Sequence, residues 1–351
     1  MSSMMERLKK NGTLKESSVL TDSVMMNNID ETVTEIPAIN LALSGSFTGG
    51  MRSGILTIAG PSRHFKSMYA LMMASAYMKK YPEAVLMFYD SEFGSPIEYF
   101  QSAGIDPSRV LHMPIKNLEE LKFDLVKQLD ALKRGDRVFI LIDSIGNLAS
   151  VKEATDALDG KGTADMSRAK YLKGLYRIIT PYLRMRDIPL VQIAHIYMSQ
   201  DLFPKAIVSG GTGIVLSSDN VWLVSRSQDK DGTELQGFNF NINIEKSRYT
   251  RERTRIPITV KFDSGLSRYS GLLDIAIDLG FIVKPTQGWY SRVFDGGEIE
   301  AKKWRAKDTD TAAFWDPMLS NITFLAAVEQ KYKISNGALL DDEIDEEMDE
   351  A

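Results

Sequence analysis

The stretch ILTIAGPSRHFKS, residues 55–67, constrains the fold of this chain more than any other. A short apolar, β-branched run opens into a polar turn and then into an amphipathic helical pattern. The turn has the spacing of a phosphate-binding P-loop, G-x-x-x-x-G-K-[ST], with Phe65 where the second glycine belongs. Such loops work because backbone N–H groups at a helix N-terminus surround phosphate oxygens, a lysine meets the terminal phosphates and the next hydroxyl reaches Mg²⁺. The candidate nucleotide-binding residues are therefore Gly60, Pro61, Ser62, Arg63, His64, Phe65, Lys66, Ser67 and Met68. Phe65 is the difficulty. A phenylalanine held at positive φ costs on the order of 1–2 kcal/mol, so it is expected either at negative φ or in a locally reshaped loop. A working site, a decayed one and a chance match all remain open at this point.

The pattern downstream indicates an α/β fold. Apolar runs at 55–60, 84–90, 137–143, 190–195 and 220–225 alternate with helical patterns over 67–80, 118–133 and 167–185. Near-continuous apolar strands separated by helices predict a mostly parallel sheet covered on both faces. Residues 238–246 and 255–262 alternate apolar with polar, which predicts an antiparallel edge. After about residue 269 the pattern changes to a helix at GLLDIAIDLG, a hairpin turning at Asp295-Gly296-Gly297 and a helix over 321–332, a small α+β domain.

Two carboxylates strengthen the P-loop. Asp143 ends the run VFILID, where an acid orients Mg²⁺, and Glu92 follows the run in LMFYDSE, where a base activates an attacking water. Either alone reads as a solvated acid at a strand end. Together with Lys66 they lie at the carboxyl edge of the expected sheet, where open α/β sheets bind ligands. His195, closing LVQIAH, fits a core or capping histidine, or a polar sensor of the terminal phosphate.

Two long segments, 150–165 and 196–213, read as irregular and emerge on that same edge. Lys161, Met166, Phe203 and Lys205, with Gly210 and Gly211 for flexibility, suit a nucleic-acid backbone and stacked bases as well as an ordinary exposed loop. EKSRYTRERTR, 245–255, is the most basic stretch, either a solvated turn or a place where Lys246 and Arg248 reach the phosphates of a neighbouring subunit.

Composition narrows the classes. The chain has 351 residues, no cysteine and three histidines, so disulfides and thiolate zinc sites are excluded and a reducing cytoplasm is the expected compartment. Its longest apolar stretch, 68–78, is too short to cross a bilayer, and no membrane partner is expected. The net charge of −5 hides an asymmetry: the last eleven residues hold eight carboxylates and no base, which leaves +3 on the remainder. Residues 336–351 read as a disordered acidic tail that serves solubility or competes for a DNA-binding surface. Residues 1–30 read as an arm or helix that docks on something else.

With these parts in order, the chain resembles the RecA family of strand-exchange recombinases. The likeness runs from TEIPAINLALSGSFTGGMRSG through GPSRHFKS, FYDSEFG, LIDSIGNLAS, SGGTG, NIEKSR and YSGLLDIAIDLGFIVKP to GWY and WRAKD. Phage-encoded members also carry phenylalanine before the P-loop lysine. The resemblance implies a RecA-like ATPase core (31–269) with an N-terminal oligomerisation arm (1–30) and a small C-terminal domain (270–335) that gathers duplex DNA. It implies a helical filament on single-stranded DNA with ATP and Mg²⁺ between subunits, assisted by a single-stranded-DNA-binding protein and a mediator. On this basis Lys66 and Ser67 bind phosphate and Mg²⁺, Asp143 supports the metal, Glu92 polarises water and Tyr99 stacks on adenine. His195 falls at the sensor position, where bacterial members carry glutamine. Lys246 and Arg248 fall where two cations cross the subunit interface, the second being lysine in bacterial members. Segments 150–165 and 196–213 correspond to the DNA-binding loops. A hexameric helicase motor and a non-hydrolysing DNA-binding protein are the alternatives.

Overall fold

Strands β1 (Gly54–Ala59), β2 (Val85–Asp90), β3 (Val110–Pro114), β4 (Val138–Asp143) and β5 (Pro189–Ala194) form the heart of the computed structural model. It describes residues 3–335 except Lys15, Asn28 and 162–166. The chain divides into two units, residues 1–34 with 50–225 and residues 35–49 with 226–351. In the first, a hairpin of β6 (Ile196–Met198) and β7 (Ala206–Val208) follows β5, and the opening residues of β8 (Asn220–Asp231) complete a parallel sheet ordered β8-β1-β5-β4-β2-β3.

Every residue of β1, β4 and β5 is buried, as strands covered on both faces require. Side chains alternate between two layers. Val138, Ile140 and Ile142 of β4 join a core with Leu121, Leu125 and Leu129 of helix Leu118–Ala131 and Leu172, Tyr176 and Ile179 of helix Ser167–Arg186. Phe139, between them, instead meets Tyr77 of helix Lys66–Lys80, with ring centroids 5.9 Å apart. Asn117 caps helix Leu118–Ala131 by accepting from the Glu120 amide at 2.8 Å, and Glu120 reaches back to the Lys116 amide at 2.9 Å.

A buried polar chain crosses this otherwise apolar sheet. The Tyr176 hydroxyl donates to Gln192 Oε1 at 2.9 Å, Gln192 Nε2 donates to Thr57 Oγ1 at 2.8 Å, and Thr57 Oγ1 meets Ser218 Oγ at 2.7 Å. It binds β5 to β1 and to the helix lying over them.

The second unit holds β9 (Glu234–Lys246), β10 (Arg255–Lys261) and β11 (Gly265–Leu266), an antiparallel set, and a small sheet of β12 (Ile282–Thr286), β13 (Trp289–Arg292) and β14 (Trp304–Arg305). Helix Pro37–Ser44, from the segment IPAINLALS, is buried along its whole length here. It ends at Gly45 with φ 74°, where a Cβ would stand 2.6 Å from the Lys333 Cα, so only glycine fits.

Three expectations change. The segment 150–165 is not irregular throughout: Ser150 accepts from the Glu153 amide at 3.0 Å and caps helix Val151–Leu158. The segment 196–213 is not structureless either, because the β6–β7 hairpin and the start of helix Thr212–Ser217 order it. Third, β3 was not anticipated, since Leu111 and His112 are exposed on this edge strand and break the apolar run. Met166 and residues 336–351 lie outside the described residues. In the N-terminal helix Ser3–Asn11, Met4, Met5 and Leu8 are exposed.

Gln192→Leu is expected to leave the Tyr176 and Thr57 hydroxyls without their buried partner. The urea midpoint of the first unit should fall by the equivalent of roughly 2–4 kcal/mol, whereas substitution of exposed Phe123 should leave it nearly unchanged.

Candidate functional site

A parallel sheet sends the carboxyl ends of its strands to one edge, and the pairing of Asp90 with Asp143 in β2 and β4 aligns those ends closely. There a cavity of about 500 Å³ is lined by Ser62, Arg63, His64, Phe65, Lys66, Ser67, Met68, Glu92, Tyr99, Ser102, Asp143, Ile193 and His195. Eleven of these were singled out from the sequence. Gly60 and Pro61, in the same loop, do not line it: a Cβ on Gly60 would lie 2.8 Å from the Val224 carbonyl oxygen, and the Pro61 carbonyl accepts from Lys66 Nζ at 2.8 Å.

Phe65 takes neither of the two escapes expected for it. Its φ is 61°, in the left-handed region, as the N-cap of helix Lys66–Lys80. The Tyr69 amide donates to the Phe65 carbonyl at 3.1 Å, and the two rings meet edge to face with centroids 5.3 Å apart. An edge-to-face pair contributes about 0.5–1.5 kcal/mol, comparable to the backbone strain it offsets.

Lys66 is almost wholly buried. Burial lowers the pKa of its ammonium, against the opposing pull of Asp143 and Glu92. The Ser67 hydroxyl donates to Asp143 Oδ2 at 2.6 Å. Asp143 is itself buried, and burial pushes its carboxyl up to about 6, with Ser67 opposing and Glu92 reinforcing the rise. No group of three or more acids or histidines among the described residues could hold a metal alone. A serine hydroxyl beside one carboxylate instead fits Mg²⁺, which commonly takes one or two carboxylates and completes its octahedron with phosphate oxygens and water.

Glu92 sits across from this pair. Its Oε1 accepts from Ser144 Oγ at 2.6 Å, from Asn147 Nδ2 at 2.8 Å and from His195 Nε2 at 2.8 Å. Burial favours its neutral form, but the bonds from Ser144 and His195 outweigh it and hold the carboxyl below its ordinary value. The turn carrying Glu92 is shaped by Asp90, whose Oδ1 accepts from the Glu92 and Phe93 amides at 3.1 and 2.8 Å. His112 meets the other Asp90 oxygen at 3.2 Å. Ser144, Asn147, Asp90 and His112 were not identified from sequence. The first two lie within the quoted LIDSIGN, but nothing in that run shows that they converge on Glu92.

Tyr99 lines the cavity from helix Ile97–Ser102 and is half exposed. Phe203 is 78% exposed at the hairpin tip, Lys205 donates its amide to Ser199 Oγ at 2.9 Å, and Lys161 is exposed and paired with Asp159 at 2.8 Å. Gly210 and Gly211 have φ of 106° and 83° at the entry to helix Thr212–Ser217. Lys246 and Arg248 belong to the second unit and do not line the cavity.

A P-loop after the first strand and acids at the ends of two neighbouring parallel strands define a RecA-like core. Comparison with known proteins agrees with this class. The protein is 49% identical over its whole length to the recombination and repair protein of Enterobacteria phage T4, covering 90% of that protein. Residues 269–328 match the family described as the C-terminal domain of that recombination and repair protein. Protein RecA of Acholeplasma laidlawii is 24% identical over 75% of this chain and 78% of its own, and that of Aquifex pyrophilus 25% over 78% of each. The chain belongs to the family of the phage T4 recombination and repair protein, UvsX.

Asp143→Asn is expected to stabilise the protein free of nucleotide and metal by roughly 1–3 kcal/mol at pH 7, because it removes a buried charge. The folded carboxyl holds its proton more tightly than the unfolded one. The parent protein therefore gains stability as pH falls through about 6 toward 3.8, and the two melting curves should converge there.

Proposed function

We propose that this protein is a DNA-dependent ATPase that assembles on single-stranded DNA and carries out homologous pairing and strand exchange. The observation that carries this reading is the convergence on one cavity of Lys66, the Ser67–Asp143 pair and Glu92, in a chain half identical to a recombination and repair protein. ATP with Mg²⁺ would supply the phosphoanhydride bond that is broken and the charge neutralisation at its oxygens. Lys66 binds the terminal phosphates, Ser67 and Asp143 hold the metal, and Tyr99 offers its ring to the base. Glu92 orients the attacking water and takes up its proton as the water oxygen bonds to the γ-phosphorus and ADP leaves. His195 senses the phosphate and passes the state into the β6–β7 hairpin.

Several further assignments are part of the same proposal. Segments 150–165 and 196–213 contact single-stranded DNA through residues such as Lys161, Met166, Phe203, Lys205, Gly210 and Gly211. Lys246 and Arg248 act as cations toward a neighbouring subunit's nucleotide, and the helix Ser3–Asn11 docks on a neighbour through Met4, Met5 and Leu8. The small domain at 270–335 receives duplex DNA. A helical filament of this kind draws on a single-stranded-DNA-binding protein and a mediator in the host-cell cytoplasm. ATP favours the extended filament only through contacts made better in that state. No helix among the described residues is long and apolar enough to cross a membrane.

Phosphate release from ATP, measured with and without single-stranded DNA over a salt series, tests the reading. Strong stimulation that fades with salt is expected. Lys66→Ala should abolish hydrolysis and nucleotide-dependent DNA binding together, whereas Glu92→Gln should keep nucleotide binding and lose turnover by 10²-fold or more. Hydrolysis indifferent to DNA would remove the recombinase mechanism, and unwinding of a forked duplex would favour a helicase motor.

A further inference from the structure

Two of the three donors on Glu92 Oε1 stand just before the two segments proposed to contact DNA. His195 leads directly into β6. Asn147 stands three residues before the cap of helix Val151–Leu158, and its side chain is otherwise exposed to solvent.

The backbone that aims Asn147 is clamped from the helix that follows that segment. Arg168, in the first turn of helix Ser167–Arg186, donates from Nη2 to the Gly146 carbonyl at 2.7 Å and from Nε to the Leu148 carbonyl at 2.9 Å. The two nearer carbonyls flank Asn147, and Nη2 also lies 3.5 Å from the Ile145 carbonyl. Beside Arg168, Ser167 Oγ reaches Ser150 Oγ at 3.4 Å, so the helix cap at Ser150 lies against the start of helix Ser167–Arg186. The arch has little freedom to yield on its other side. A Cβ on Gly146 would fall 2.9 Å from the His195 amide nitrogen, and Leu148 is buried. One guanidinium making bonds to two carbonyls sets the direction of the peptide planes between them, and with it the reach of Asn147.

A carboxylate oxygen that accepts three donors has its charge compensated, which makes it a weaker base toward water. We infer that Arg168 and Asn147 form a relay that restrains Glu92 until nucleic acid displaces helix Val151–Leu158, a second line of control beside His195. This rests on the reading of Glu92 as the water-activating base and of 150–165 as a DNA contact. Both are positioning residues: Asn147 acts through Glu92 and Arg168 through Asn147. Displacement of helix Val151–Leu158 draws the adjoining Gly146 and Leu148 carbonyls off Arg168, swings Asn147 off Oε1 and leaves the carboxylate more basic.

The full chain is assayed for phosphate release from ATP with and without oligothymidylate, and nucleotide affinity is measured separately with a fluorescent ATP analogue. Asn147→Ala should raise DNA-free turnover several-fold, leave the DNA-saturated rate and nucleotide affinity little changed, and so shrink the stimulation ratio. A merely structural role would not shift that ratio at constant affinity. Arg168→Ala should do the same, and the double variant should add nothing to the larger single effect because the two act in series. Arg168→Lys, which keeps a donor for one carbonyl, should be intermediate and serves if the alanine variant folds poorly. DNA-free turnover of Asn147→Ala at or below the parent rate overturns the relay, as do multiplicative effects in the double variant. The underlying reading fails separately: it falls if Glu92→Gln hydrolyses ATP normally or if the parent is not stimulated by DNA.

Discussion

The buried bond between Ser67 and Asp143 is the contact on which the rest of the site depends. It joins the first turn of the helix after the P-loop to the end of a strand two positions away in the sheet, and so fixes the loop against the sheet edge. Its cost is a carboxylate held in a place that disfavours its charge. Such a residue is poorly explained as structure alone. It fits the proposed role of an oxygen ligand for Mg²⁺, with the parallel register of β2 and β4 bringing Glu92 to the other side of the same cavity.

Strain is held at the same edge. Phe65, Arg63 and Phe93 all have φ near 60° without being glycine, and all three lie in the P-loop or beside Glu92. Residues in that region persist only where their surroundings over-determine them. For Phe65 the surroundings are visible: the helix that it caps, and the ring of Tyr69 one turn along. For Phe93 they are the two amide bonds to Asp90, which fix the turn that presents Glu92.

The chain leaving β4 and β5 passes through Asn147 and His195, both bonded to Glu92, just before the two segments proposed to contact DNA, so the proposed chemistry and the proposed DNA contacts meet at one carboxylate oxygen. Coupling between them needs no long pathway through the core. A shift of a few tenths of an ångström in either arch changes a hydrogen bond on the group that would activate water.

Local residue chemistry determined much of this protein. Continuous apolar runs gave the buried parallel strands within a residue or two, because a strand covered on both faces has no polar choice. The spacing from Gly60 to Ser67 and the acids closing two other runs identified the cavity, since a parallel sheet delivers its strand ends to one side. The order of motifs identified the family. Other features belonged to the tertiary structure. The left-handed Phe65 depends on what its ring can touch, and the edge strand β3 on a neighbour that its own pattern does not announce. The helix within 150–165 and the hairpin within 196–213 depend on caps and pairings formed across several residues. The convergence of Ser144, Asn147 and His195 on one oxygen of Glu92, with Arg168 behind it, joins residues up to 103 positions apart. Short-range patterns record which face a residue presents, but which distant side chain meets it is decided only when the sheet closes its register and the helices pack.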